Sequence, residues 1–199
     1  DALYLLHERG KAMQEAVPLG KGAMIAILGS KIEEINQFIS QVKNIGVCEI
    51  ANDNSDGQTI ISGDKVSILS LQKILKDNKK KAILLPVSAP FHCSLMKGAA
   101  DKMKSKIEPI NFGELDLNII SNVTALPEKD PKIIKKLLVD QIYTKVRWRE
   151  SVINMSNNGI KEFIEIGPGK ALSGLVKRII KDVKANSINS IEDAKNNIR

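Results

Sequence analysis

Residues 22–88 constrain the fold of this chain more than any other part. Short apolar runs of strand length alternate there with stretches of helical spacing, and turn residues punctuate them. Residues 23–28 form an apolar run closed by Gly29-Ser30, a pair that also suits a helix N-cap. Ile32, Ile35, Phe38, Ile39 and Val42 recur at the spacing of one helix face. Residues 47–52 read as a second strand, and Asp53-Asn54-Ser55-Asp56-Gly57 as a turn cluster. Thr59-Ile60-Ile61 gives a third strand, closed by Gly63. Val66, Leu69, Ile74 and Leu75 place a second helix, which Asn78 ends, and residues 82–87 a fourth strand. The order is β-α-β-β-α-β, a split βαβ or ferredoxin-like pattern with both helices on one face of an antiparallel sheet.

The flanks read differently. Residues 3–17 have helical spacing through Leu3, Leu6, Met13 and Val17, and Pro18-Leu19-Gly20 stops them. Residues 93–107 read as a helix that Pro109 terminates, and 117–123 as an extended run. Pro131 suits the first turn of a helix running to about Ile142. Residues 148–158 follow as a helix with Gly159 as its C-cap. Residues 163–166 make a short strand entering Gly167-Pro168-Gly169. The next helix has Leu172, Leu175, Val176, Ile179 and Ile180 on one face, and 187–198 are expected to be polar and peripheral. Strands and helices alternate, so the fold class is α/β. The first helix has no partner of its own. We therefore expect a small unit over residues 21–88, inserted into a larger α/β domain of residues 1–20 and 89–199 that this chain holds only in part.

Composition removes several classes. The chain has 199 residues, 43% of them hydrophobic, too many for a disordered segment. No apolar run approaches the roughly 20 residues of a membrane helix. Cys48 and Cys93 stand in unrelated contexts, which argues against a disulfide framework or a zinc ligand set. A reducing, cytoplasmic setting is the default expectation. The chain starts at Asp1, and an N-terminal piece is expected to be absent. The formal charge is +7, most of it from lysines spaced singly along helix faces and read as solvated. The run Lys79-Lys80-Lys81 is the exception. Only Arg9, Arg147, Arg149, Arg178 and Arg199 are arginines, which makes each fork-shaped guanidinium worth a question.

Few residues invite chemistry. The two histidines are His7, on the first helix beside Glu8, and His92, at a strand-to-helix turn in Ser88-Ala89-Pro90-Phe91-His92-Cys93. Loops at strand ends collect catalytic groups, so His92 is the candidate base. The acceptor that would fix its tautomer is not visible in the sequence. No serine has glycine at both minus two and plus two, so there is no nucleophile elbow. Cys93 adjoins His92, but sequence neighbours rarely face each other. Gly167-Pro168-Gly169-Lys170 could hold an anion at a helix N-terminus, but reads better as a tight turn. Asn52-Asp53-Asn54 with Gly57 lacks the later Glu of a calcium loop and reads as a hairpin.

Taken together, the segments resemble a family. Arg9-Gly10-Lys11-Ala12-Met13-Gln14-Glu15-Ala16-Val17-Pro18, Gly22-Ala23-Met24 and Ala51-Asn52-Asp53-Asn54-Ser55-Asp56-Gly57-Gln58 come first. Leu85-Pro86-Val87-Ser88-Ala89-Pro90-Phe91-His92, Val146-Arg147-Trp148 with Ser151, and Gly167-Pro168-Gly169-Lys170 follow in family order. The set resembles the C-terminal two-thirds of the malonyl-CoA:acyl carrier protein transacylases of bacterial fatty acid synthesis. The resemblance implies an α/β-hydrolase-like domain with a ferredoxin-like insertion. It implies ping-pong transfer of malonyl from malonyl-CoA to the phosphopantetheine thiol of acyl carrier protein, through a malonyl-serine and with no cofactor or metal.

The resemblance also assigns roles. His92 matches the catalytic histidine, and Gln141 the residue whose backbone carbonyl orients it. Arg9 matches the residue that binds the malonyl carboxylate, and Phe91 suits malonyl-selective members. Asn52, Asn54 and Met13 line the pocket or its approach. Lys80 and Lys81 align with positions that meet the phosphates of CoA or of the carrier's arm. The serine elbow and its oxyanion donors lie upstream in the family, so this chain lacks the nucleophile. Acyl carrier protein and malonyl-CoA are the implied partners, with no nucleic acid, no membrane and a monomeric state.

Two rivals stand beside this reading. A polyketide synthase acyltransferase domain is the near one. An RNA-binding ferredoxin-like module is the distant one, and it needs base-stacking aromatics in its central strands. Residues 58–63 carry none.

Overall fold

The computed structural model describes residues 1–197; Ile198 and Arg199, the last of which ends the list of arginines above, lie outside the described residues. The chain runs α1 (Ala2–Glu15), β1 (Gly22–Leu28), α2 (Ile32–Ser40), β2 (Cys48–Ser55), β3 (Gln58–Asp64), α3 (Lys65–Asp77) and β4 (Lys81–Leu84). It continues through α4 (Lys97–Ile107), β5 (Ile119–Ile120), β6 (Pro127–Glu128), α5 (Pro131–Asp140) and α6 (Trp148–Asn157). The last elements are β7 (Glu162–Ile166), α7 (Ala171–Ile179), β8 (Lys184–Ile188) and α8 (Ile191–Asn197). The class is mixed α/β.

The first four strands form one antiparallel sheet in the order β2-β3-β1-β4. Successive strand residues point to opposite faces, and both faces are used. Ile25, Ile27 and Ile61 meet Ile35, Phe38 and Val42 of the α2 segment and Ile68, Leu71 and Leu75 of α3. Met24, Ala26 and Ile60 point the other way with Ala51, and Leu85 and Phe91 pack on them. A third cluster joins Ala12 and Met13 of α1 to Ala99, Ala100 and Met103 of α4 and to Ile142. A fourth places Val152 of α6, Val176 of α7 and Ala185 of β8 together. Residues after β4 therefore pack on the sheet face that α2 and α3 leave open.

Several local expectations are corrected. The buried face of α3 is Ser67, Ile68, Leu71 and Leu75, while Val66 is 66% exposed and Leu69 also faces solvent. Asp53-Asn54-Ser55 is strand, and the turn shrinks to Asp56-Gly57 with Gly57 at positive φ. Two register shifts in β2, between Ile50 and Asn52 and between Asp53 and Ser55, absorb the poor strand formers. The strand expected over 82–87 stops at Leu84. The helix expected from 93 opens with a 3₁₀ turn, Ser94–Met96, before α4. Of 117–123 only Ile119–Ile120 is strand. Ser187 and Ile188 are not peripheral: they end β8, which pairs in parallel with β7.

Candidate active site

His92 sits where β4, the loop after it and the start of α4 meet. Its backbone stands at φ 59, a left-handed conformation that few residues with a side chain adopt. The surroundings explain how it holds. Pro90 lies so close to β1 that a Cβ added at Gly22 would overlap its ring. Phe91 packs on two clusters at once, that of α1 and α4 and that of the open sheet face. The Cys93 thiol donates to the Pro90 carbonyl at 3.1 Å. Ser88 at the head of the loop donates to Gln14 of α1 at 2.8 Å.

The His92 ring meets one backbone atom. Its Nδ1 lies 2.9 Å from the carbonyl oxygen of Gln141. A carbonyl can only accept, so the proton is on Nδ1 and the Nε2 lone pair is left for chemistry. The acceptor exists because α5 ends here: Gln141 is its C-cap, and the last carbonyls of a helix have no intrahelical partner. Burial pushes the His92 pKa down, the Gln141 carbonyl opposes it, and the Arg9 charge lowers it further. The ring is thereby neutral near pH 7. A helix C-terminus also favours the cation that forms when Nε2 takes a proton.

Arg9 is near enough to act on that ring. It is half-buried on α1, and burial pulls its own pKa down. Its neighbour Glu8 is held by Lys106 at 2.6 Å. Among the described residues Arg9 has no hydrogen-bond or ion-pair partner of its own. A half-buried guanidinium without a partner can receive an anionic group, and its fork matches the shape of a carboxylate.

The other candidates divide. Met13 is buried in the cluster against which Phe91 packs. Asn52 lies on β2 where it bridges to Val146, its flanks fixed by Asp53 N–H to the Val146 carbonyl at 2.9 Å and Val146 N–H to the Ala51 carbonyl at 2.7 Å. Asp53 is buried and takes a two-pronged grip from Arg149 of α6, at 2.9–3.1 Å. Asn54 borders a different hollow, shared with Gln58, Lys170 and Arg178. Lys80 is ion-paired with Glu34 at 2.6 Å, and Lys81 is exposed at the start of β4. Lys79 takes the left-handed position after α3, at φ 56.

Two sequence motifs lose their chemical reading. The N-terminus of α7 after Gly167-Pro168-Gly169 already has an anion: Glu165 accepts from Leu172 N–H, Ser173 N–H and the Ser173 hydroxyl. Gly169 N–H is taken by Asn189. The motif is a turn. Burial pushes the Cys93 thiol up, which suits a packed thiol and not a nucleophile. One residue escaped sequence reading altogether. Glu49 of β2 accepts from Ser94 N–H at 2.8 Å and from the Ser94 hydroxyl at 2.6 Å. Its signal was an acidic residue inside an apolar strand, which does not say what it meets.

Fold and site together define a mixed α/β protein with a neutral histidine, oriented by a helix-end carbonyl, next to a carboxylate-shaped arginine. No family model matches the chain. Individual proteins do. It is 41% identical over 194 residues, 96% of its length, to the malonyl CoA-acyl carrier protein transacylase of Bacillus subtilis. It superposes on the crystal structure of the Clostridium perfringens transacylase of the same name with TM-score 0.93 and 38% identity, covering 98% of this chain and 61% of that one. A complex of a type II polyketide acyl carrier protein with its malonyl-transacylase matches with TM-score 0.92 and 39% identity, over 96% of this chain and 62% of that one. The chain is a homologue of the malonyl CoA-acyl carrier protein transacylases. It spans about three fifths of the length of the relatives it matches.

Proposed function

We propose that this chain carries the histidine and arginine side of a malonyltransferase site, which moves malonyl from malonyl-CoA to the thiol of acyl carrier protein. The observation that carries the reading is the 2.9 Å pair of His92 Nδ1 and the Gln141 carbonyl, with the unpartnered Arg9 nearby. Nε2 of His92 takes the hydroxyl proton of a serine as its oxygen attacks the malonyl thioester. The same proton goes to the CoA thiolate as the C–S bond breaks. In the second half His92 takes the carrier thiol's proton, the thiolate attacks the malonyl-serine, and the proton returns to the serine oxygen. No metal or redox cofactor enters these steps.

The serine belongs to the part of the relatives' length that this chain does not match. In this reading Arg9 holds the malonyl carboxylate, and Met13 and Phe91 shape the apolar wall beside it. Asn52 and Asn54 line the approach. Lys81, and Lys80 once it leaves Glu34, meet phosphates. Residues 21–88 are the ferredoxin-like insertion, while 1–20 and 89–199 belong to the α/β-hydrolase-like domain. Among the described residues no helix is long and apolar enough to cross a membrane; the complete enzyme is proposed as a cytoplasmic monomer.

The test is transacylation by the complete polypeptide with malonyl-CoA and acyl carrier protein. His92→Ala should lower kcat by about 10³-fold or more, on the scale of losing a general base and its nucleophile activation. Activity within about two-fold of the parent would rule the assignment out.

A further inference from the structure

The turn that bears His92 needs more than its own sequence to hold. The residue at the N-cap of the 3₁₀ turn that follows is Cys93, which makes no capping bond. A thiol is a poor acceptor, so the free N–H groups there need another partner. Glu49 supplies it from a different element. Its carboxylate reaches across from β2 and takes both donors of Ser94, N–H at 2.8 Å and Oγ at 2.6 Å. An anion is well placed at such a terminus. Glu49 has no cation paired with it among the described residues. Its two oxygens take the two donors of Ser94, one each.

We propose that Glu49 is a positioning residue for His92. By gripping Ser94 it fixes the backbone two residues after the imidazole, and so keeps Nδ1 against the Gln141 carbonyl in spite of the left-handed φ at His92. The Pro90 contact with Gly22 sets the turn from its other side. The small sheet thus has a part in the acid–base site: it carries the clamp for a histidine that stands outside it. This inference rests on the reading of His92 as the acid–base group.

The chain has two histidines, and His7 is exposed on α1. Imidazole ¹⁵N spectra are read on the labelled complete polypeptide, with the His92 signals assigned by their loss in His92→Gln. The expected result is an Nδ1–H tautomer for His92 in the parent. In Glu49→Ala it shifts to a mixture of the Nδ1–H and Nε2–H tautomers. Glu49→Gln, which keeps one acceptor, should recover most of the parent signal. Ser94→Ala, which keeps the N–H, should fall between. A folded Glu49→Ala protein whose His92 remains in the Nδ1–H form overturns the proposal. If Glu49→Ala loses the native amide spectrum, Ser94→Ala decides, and a parent-like His92 tautomer in it overturns the proposal. A parent His92 that is not in the Nδ1–H form strikes instead at the reading of His92, and the clamp falls with it.

Discussion

In the proposed reading two single residues carry the chemistry, and each makes a prediction of its own. Burial is the largest influence on His92 and holds its pKa below the ordinary 6.5, with Arg9 adding to the fall and the Gln141 carbonyl opposing. The unfolded chain therefore binds this proton at a higher pH than the folded one. Stability is fully present above about pH 6.5 and is lost as pH falls toward the folded pKa. His92→Gln should remove that component. Urea midpoints measured between about pH 7.5 and pH 5 should drop less steeply in the variant than in the parent, and parallel profiles would count against a depressed His92. In the same reading Arg9 decides selectivity. A half-buried guanidinium that finds no carboxylate is unfavourable, so an acetyl thioester should be a poor substrate of the complete enzyme. Arg9→Ala should weaken malonyl transfer by about 2–5 kcal/mol, the range for truncating one partner of a buried pair, and should raise relative activity on acetyl-CoA. An unchanged malonyl-to-acetyl ratio of kcat/KM would show that Arg9 does not read the carboxylate. His92 was legible as a candidate from its place at a strand end. Its orienting group was not, because a backbone carbonyl has no side-chain signature; only the resemblance pointed to Gln141.

At the scale of elements, the join between β2 and α6 is the telling case. Asp53 is buried on β2, and Arg149 of α6 grips it with two nitrogens. The grip and the backbone bonds to Val146 hold a strand through residues that favour turns. That is why 53–55 read as a loop: the sequence shows the local preference, while the partner that overrides it lies 96 positions away. The α3 face failed for a related reason. Apolar residues stand at 66, 68, 69, 71, 74 and 75, so two faces of the helix compete, and the sheet beneath chooses Ile68, Leu71 and Leu75. The order of strands and helices from 22 to 84 was legible, because there the apolar periods are short, distinct and separated by glycine and asparagine. Asp53→Asn should lower stability by about 3 kcal/mol. That is the lower end for breaking a buried pair, since Arg149 keeps some contact with water. Thermal melts of Asp53→Asn and Arg149→Lys should both fall, the second less. A loss below about 0.5 kcal/mol in Asp53→Asn would mean that the backbone bonds to Val146 suffice.

At the scale of the molecule, the apolar residues left outside matter more than the core. Parallel strands are usually covered on both faces. β7 and β8 pair in parallel, and α7 covers one face through the cluster with Val176 and Ala185. The alternate residues of β7, Ile164 and Ile166, face solvent, Ile166 at 82% exposure. On α1, Leu3 at 84% and Leu6 point outward in the same way. Apolar side chains left bare on a sheet face and a helix can act as an interaction face or a source of aggregation. Sequence reading anticipates an uncovered first helix but not the bare sheet, because residues 184–186 carry no strand signal and 187–188 read as the start of a polar tail. The chain on its own is therefore predicted to bind a hydrophobic dye and to associate as its concentration rises. The monomeric state proposed for the complete enzyme does not extend to it. Ile166→Ser together with Leu6→Ser should reduce both effects without lowering the melting temperature, since neither side chain is buried in the fold. Sedimentation velocity across a concentration series and dye fluorescence read the two effects separately. A single species at every concentration, with dye binding no stronger than in the double variant, would mean that these faces are too small or too scattered to act as a surface.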